Sequence, residues 1–370
     1  MGVKILHCAD LHLGSPFIRL PKQQRALRQN GQKEVFWNII DLCREREVEL
    51  LLIAGDLFDS NQISSDLFHD VVRGFSSLTD TKVFIAAGNH DPLGENSVYS
   101  SGVFGENVHV FSGIPESVSA GNGVRVWGAG FCGDIQSQSL LDQFPPPADG
   151  EINIGVLHGD YPAAASDYNP ITKSQIQRCG LDYLALGHIH AYSGILSEEK
   201  TYYAYSGAAL GRGFDETGAK GVILGEIGKG QCDLKFVSLN QREYQIHRLN
   251  ISGMYSDLEV VQEIQDRYPQ QHFYRFILEG RHDQDYRPDP GMIRHILEEK
   301  GYMVDAVPDE SEKDYDLEQL AQENTLRGVF VRQMLEKVKQ SKQEEAQKYR
   351  RALELGLEAF DGEVDYIENH

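Results

Sequence analysis

At 370 residues, with 41% hydrophobic and 25% charged content, the chain has the make-up of an ordinary globular protein, longer than one core usually organises. No stretch approaches the roughly 18 uninterrupted apolar residues of a membrane span, and no export signal is expected at the start. Five scattered cysteines without a CxxC pair point to a reducing cytoplasm, and a net charge of -21 excludes a protein that grips polyanions by bulk charge alone.

In chain order, five short apolar runs bounded by turn residues predict strands: Val3 to His7, Glu49 to Ile53, Lys82 to Ala86, Ile152 to Leu157 and Asp182 to Leu186. Such runs suit a buried sheet. Segments of helical periodicity lie between them, around Glu34 to Leu42 and Asp66 to Val72, so the first part reads as α/β. After residue 190, runs at 194–197, 202–205, 221–225 and 232–237 joined by Gly-rich turns predict a second, mainly antiparallel sheet. A smaller α/β unit is readable from 241 to 310, with helices near 258–267 and 292–299 and strands near 273–278 and 303–307. The acidic stretch Asp309 to Asp314 reads as a solvated linker. Beyond Tyr315 the residues Leu320, Val329, Val331, Met334, Leu335 and Val338 form an apolar stripe at helical spacing. The expected domains are 1–240, 241–310 and a helical region over 311–370.

The chemistry sits in the turns after the five strands. They read Asp10-x-His12, Gly55-Asp56-x-x-Asp59, Gly88-Asn89-His90-Asp91, His158-Gly159 and Gly187-His188-x-His190. Any one of these alone is more often an accident or a structural turn. Their joint occurrence, each behind a predicted strand, points to one site, because loops at the carboxyl ends of strands line a common crevice. Imidazoles, carboxylates and an amide oxygen suit Mn, Fe or Zn rather than Mg or Ca. Asp10, His12, Asp56, Asn89, His158, His188 and His190 are too many ligands for one structural ion and suit two ions sharing Asp56. Such a pair can clamp attacking and leaving oxygens and lower the pKa of a water to about 7, giving a hydroxide nucleophile. His90 would then face the phosphoryl group or protonate the leaving oxygen, with Asp59 placed to orient it.

With these motifs the first 240 or so residues resemble the calcineurin-like metallophosphoesterase superfamily. That resemblance implies a two-sheet β-sandwich flanked by helices, here with a small α/β capping domain and a helical C-terminal tail. It implies one ion at Asp10, His12, Asp56 and His190 and another at Asp56, Asn89, His158 and His188, with His90 the catalytic histidine and Asp59 its partner. Ser60 and Ala87 stand where the protein-phosphatase branch carries arginines. Asp10-Leu11-His12-Leu13-Gly14, Gly55-Asp56-Leu57-Phe58-Asp59 and Tyr205-Ser206-Gly207-Ala208 are similar instead to SbcD-type DNA-repair exonucleases, nearest the YhaO-like bacterial group. The usual Pro-Gly-Ser of that branch is replaced by Ser206-Gly207-Ala208.

The resemblance implies a Mn2+-dependent nuclease acting on DNA and an SbcC-like coiled-coil ABC ATPase docking on the C-terminal helices. The stripe from Val329 to Val338 would serve that docking, or pack against the chain's own domains or in a homodimer. Two alternatives stand beside the nuclease: a phosphodiesterase for nucleotides or other small phosphodiesters, which the acidic charge favours, and a non-catalytic scaffold presenting the tail. The basic cluster Arg19 to Arg28, and Arg212 on a Gly-rich turn, are candidates for substrate contact, the cluster being read equally as an exposed helix. His69, His109, His247, His272, His282, His295 and His370 lack ligand-like neighbours at fixed offsets and read as ordinary residues.

Overall fold

The apolar runs form strands in the computed structural model, which describes residues 2–18, 22–101, 103–145, 147, 150–239 and 242–362. The first part runs β1 (Gly2–Cys8), α1 (Lys22–Glu45), β2 (Leu50–Ala54), α2 (Ser65–Ser76), β3 (Lys82–Ala86), β4 (Val108–Val110), β5 (Glu116–Gly121), β6 (Val124–Gly128), β7 (Ile152–His158), α3 (Lys173–Arg178), β8 (Tyr183–Gly187), β9 (Leu196–Glu198), β10 (Thr201–Tyr205), β11 (Gly221–Gly228) and β12 (Gln231–Ser238). It makes two six-stranded sheets, ordered β12-β11-β1-β2-β3-β4 and β5-β6-β7-β8-β10-β9. Strands β1 to β4 are parallel, as are β6, β7, β8 and β10.

The expected second, antiparallel sheet is therefore corrected. Strands β9 and β10 extend the sheet of β7 and β8, whereas β11 pairs antiparallel with β1 and β12 with β11. An apolar run reveals that a strand is buried but not which neighbour it pairs with, since pairing is decided by the faces the rest of the chain covers.

Alternation along each strand builds the layers. Leu50, Leu52 and Ala54 of β2 face Val126, Ile154 and Val156 across the sandwich, while Leu51 and Ile53 pack on Val35, Phe36, Ile39 and Phe75 of α1 and α2. The outer face of the second sheet packs Trp127, Leu157 and Leu186 on Leu140 and Ile176. Helix α2 starts where Ser64 accepts from Leu67 N, satisfying one of its orphan donors.

The chain divides into two compact units, Met1–Gln245 with Gln271–Phe273, and Ile246–Gln270 with Tyr274–His370. The second carries β13 (Tyr244–Asn250, whose first residues belong to the first unit), α4 (Asp257–Arg267), β14 (Phe273–Glu279), β15 (Arg281–Asp283), α5 (Pro290–Glu299), β16 (Met303–Ala306), β17 (Glu312–Asp314), α6 (Leu317–Gln322), α7 (Leu326–Gln340) and α8 (Gln343–Asp361). A three-stranded sheet, β13-β14-β16, packs with α4 and α5 around Tyr274, Phe276 and Leu297; a separate core joins Leu320, Val331, Leu353 and Leu357. The acidic stretch is not only a linker, because Glu312–Asp314 pairs with β15, Arg281 faces Glu312 and Asp314, and Lys313 bonds Asp361 of α8. The stripe of α7 is largely used inside the chain: Val331 is buried and Met334 and Leu335 pack against the same core, whereas Val329 is exposed. No helix among the described residues is long and apolar enough to cross a membrane.

Candidate metal centre

The motif loops leave the carboxyl ends of β1, β2 and β3 in one sheet and of β7 and β8 in the other, so the site lies where these strand ends adjoin. Backbone bonds pin the loops together: Asp10 N donates to Gly55 O (3.1 Å), His12 N to Asp56 O (3.0 Å) and Gly159 N to Gly187 O (3.1 Å). Asp10, His12, Asp56 and His188 hold φ of 52°, 45°, 50° and 102°. Such conformations cost side-chain-bearing residues on the order of 1–3 kcal/mol each and persist only where surrounding structure enforces them. Gly88 is required by close approach, because a Cβ there would overlap Asp56 Oδ1.

The side chains converge in overlapping groups: Asp10, His12 and His190; His12, Asp56 and His90; Asp10, Asp56 and His158. His12 Nε2 lies 3.3 Å from His190 Nε2 and 3.6 Å from Asp56 Oδ2, and His190 Nε2 lies 3.8 Å from Asp10 Oδ1. His158 Nε2 is 3.5 Å from Asp56 Oδ2 and 3.0 Å from Asn89 Oδ1. Donors sharing one ion through bonds of about 2.1 Å sit roughly 3.0–3.5 Å apart, so this spacing fits coordination better than direct hydrogen bonding.

Charge gives the same answer. Asp10 and Asp56 are each 1% exposed, and buried carboxylates need a compensating cation. Burial works to raise the Asp56 carboxyl, but His158, His12 and His90 outweigh it and hold it below its usual range. Burial disfavours a charged His158, yet Asp56 and Asp10 draw it above its ordinary value. The pocket attracts positive charge, and its donor set fits divalent ions.

The remaining expected residues fall as follows. The backbone N of His188 donates to both Asp10 oxygens (3.2 and 3.1 Å), while its Nε2 faces Asp160 Oδ1 at 3.2 Å. His90 is exposed; its backbone N donates to Asp56 Oδ1 (2.9 Å) and its Nδ1 meets the backbone carbonyl of Asp59 (3.2 Å). The Asp59 carboxylate turns elsewhere, to His12 Nδ1 (3.4 Å) and Arg212 Nη1 (3.3 Å). Asp91 is a brace: it accepts from Gly88 N (2.8 Å), Phe58 N (3.0 Å) and Tyr99 Oη (2.5 Å), tying two motif loops.

In the basic cluster, Arg19, Leu20 and Pro21 lie outside the described residues, as does His370. Arg28 is no surface grip. It is 3% exposed, donates to Gly211 O and lies 5.0 Å from the ring centroids of both Tyr244 and Phe273. Sequence reading missed Glu216, which accepts from His190 Nδ1 at 2.7 Å, and Asp160. Asp160 stands two residues after His158 and could have been taken with that motif, whereas no spacing rule links Glu216 to a histidine 26 residues earlier.

The fold is a two-sheet sandwich whose ligand-rich loops meet at adjoining strand ends. The chain belongs to the calcineurin-like phosphoesterase family, whose model matches residues 3–192. It is 31% identical over 245 residues to the uncharacterized metallophosphoesterase YhaO of Bacillus subtilis (strain 168), covering 62% of this chain and 59% of that one. It is 26% identical over 281 residues to the DNA double-strand break repair protein Mre11 of Methanopyrus kandleri, covering 68% and 60%. The chain thus spans about six tenths of the length of these relatives. A dimetal phosphatase from Danio rerio aligns with a TM-score of 0.41 at 12% identity, over 64% of this chain and 99% of that one.

Proposed function

We propose that the chain is a two-metal phosphodiesterase that cleaves DNA. The observation that carries the metal part is the set of three overlapping carboxylate and imidazole groups in which Asp10, His12 and Asp56 each appear twice. In this reading Asp10, His12, Asp56 and His190 hold one ion and Asp56, Asn89, His158 and His188 the other. When bound, the pair supplies Lewis acidity and a water activated near neutral pH. Asp56 is held in place by the backbone N of His90 (2.9 Å), which ties the ligand loop to the loop bearing the catalytic group. His90 donates from Nδ1 to the Asp59 carbonyl, so in its imidazolium form Nε2 would be the donor to a phosphoryl or leaving oxygen.

The DNA part is supported by similarity to a DNA double-strand break repair protein. The net charge of -21 supports a second reading, a small phosphodiester as substrate. Mn2+ as native metal and cytoplasmic residence fit the borderline ligands and five free cysteines. We carry forward the division at 240 and 310, with a capping domain and a helical region. An SbcC-like ATPase would meet α7 and α8 where Leu326, Val329 and Leu355 are exposed. A homodimer is the other use of those exposed residues.

The test is cleavage of end-labelled linear DNA by purified protein with Mn2+, beside thymidine 5′-(p-nitrophenyl phosphate). His90→Asn should retain metal and lose about 10²–10⁴ in kcat. Efficient turnover of the nucleotide ester with intact DNA selects the small-substrate reading, and inactivity on both rejects the enzyme.

A further inference from the structure

Each site histidine has one ring nitrogen turned away from the ligand cluster, and its partner differs from one histidine to the next. For His158 the partner is a neutral backbone carbonyl, Ala54 O, at 2.9 Å. For His190 it is the Glu216 carboxylate, which accepts at 2.7 Å, and for His12 the Asp59 carboxylate stands 3.4 Å away, in ion-pair range without a hydrogen bond. His188 has Asp160, which accepts from the Ser166 hydroxyl. An imidazole can offer a lone pair to an ion only from an unprotonated nitrogen, so an acceptor at the opposite nitrogen fixes the tautomer and the ring's direction.

Glu216 and Asp59 are joined. Arg212 places Nε 3.3 Å from Glu216 Oε1 and Nη1 3.3 Å from Asp59 Oδ1, while its backbone N donates to Glu216 Oε2 at 2.9 Å. Lys220 holds the other end of His190 by donating to its carbonyl oxygen at 3.0 Å. The guanidinium is therefore occupied on two edges, which argues against its gripping a phosphate. Two carboxylates stand behind the two imidazoles with Arg212 and Lys220 answering their charge, and the Glu216 acceptor at His190 Nδ1 favours the tautomer whose Nε2 lone pair can meet a cation.

We propose that Glu216, Arg212 and Asp59 form one positioning unit for the ion at Asp10, His12 and His190, so that the two metal sites rest on separate supports and weaken independently. The proposal rests on the two-metal reading above. It assigns roles to a loop outside the five motifs, and none of the three residues needs to touch substrate.

The test uses the full chain, stripped of metal and titrated with Mn2+ alone by calorimetry, with electron paramagnetic resonance reporting coupled pairs of ions. Glu216→Ala should weaken one binding step ten- to a hundredfold and leave the other within about twofold. Glu216→Gln, which keeps an oxygen acceptor for Nδ1–H, should recover part of the loss. Arg212→Met should weaken the same step, and Asp160→Asn the other one. If Glu216→Ala does not fold, Glu216→Gln and Arg212→Met decide. Folded variants that bind both ions as the parent does, or lose both steps together, overturn the unit. A parent protein taking up fewer than two ions overturns the two-metal reading itself, and the unit with it.

Discussion

At the residue scale, the site is defined by how little room its backbone leaves. Gly88→Ala would drive a Cβ into Asp56 Oδ1, so this one added methyl should abolish binding of both ions, read as metal content after gel filtration. A second prediction concerns a histidine outside the site. His7 is fully buried, with Nδ1 at the Tyr183 hydroxyl (2.8 Å) and Nε2 at the Leu186 carbonyl (3.2 Å), an arrangement satisfied by the neutral ring. Burial, partly offset by that carbonyl, pushes its pKa from 6.5 down to about 3. Between those values the unfolded chain takes up a proton that the folded one refuses, so stability falls as pH drops through that window and is untouched above it. The slope is on the order of 1.4 kcal/mol per pH unit, and His7→Gln should flatten it in urea melts from pH 7 to 4.

At the scale of elements, the same substitution type has different signs in different places. A glycine inside an exposed helix normally gains about 1 kcal/mol on becoming alanine. Gly356 in α8 should behave oppositely, because its missing Cβ is where the Phe330 ring of α7 packs. Gly356→Ala is expected to lower the melting temperature; an increase would show that the α7–α8 contact is looser than described. In the sandwich, Leu52 has no exposed surface, and Leu52→Ala should cost roughly 2–5 kcal/mol in chemical denaturation.

At the scale of the whole molecule, the proposed centre would tie stability to cations through buried Asp10 and Asp56. Mn2+ should raise Tm in a dose-dependent way, by the equivalent of about 2.7 kcal/mol at a hundred times Kd, and chelation should reverse it. A protein whose melting ignores both treatments would not contain the proposed centre. The five strands that carry the motifs, the five ligand-rich turns and the helical tail were legible in the sequence, because apolar periodicity and local ligand patterns are written within a few neighbouring residues. Strands β4, β5 and β6 were not, being short or broken by polar residues, and three further features were not either. Which strands pair, so that β11 joins β1 while β10 joins β8, depends on competition among buried faces far apart in the chain. That Arg28 is a buried anchor rather than a phosphate grip depends on aromatic rings supplied more than two hundred residues later. The support of His190 by Glu216 arises only when a Gly-rich loop folds back over the strand ends. Local composition decides which groups can bind an ion, whereas tertiary packing decides which nitrogen faces it and what stands behind.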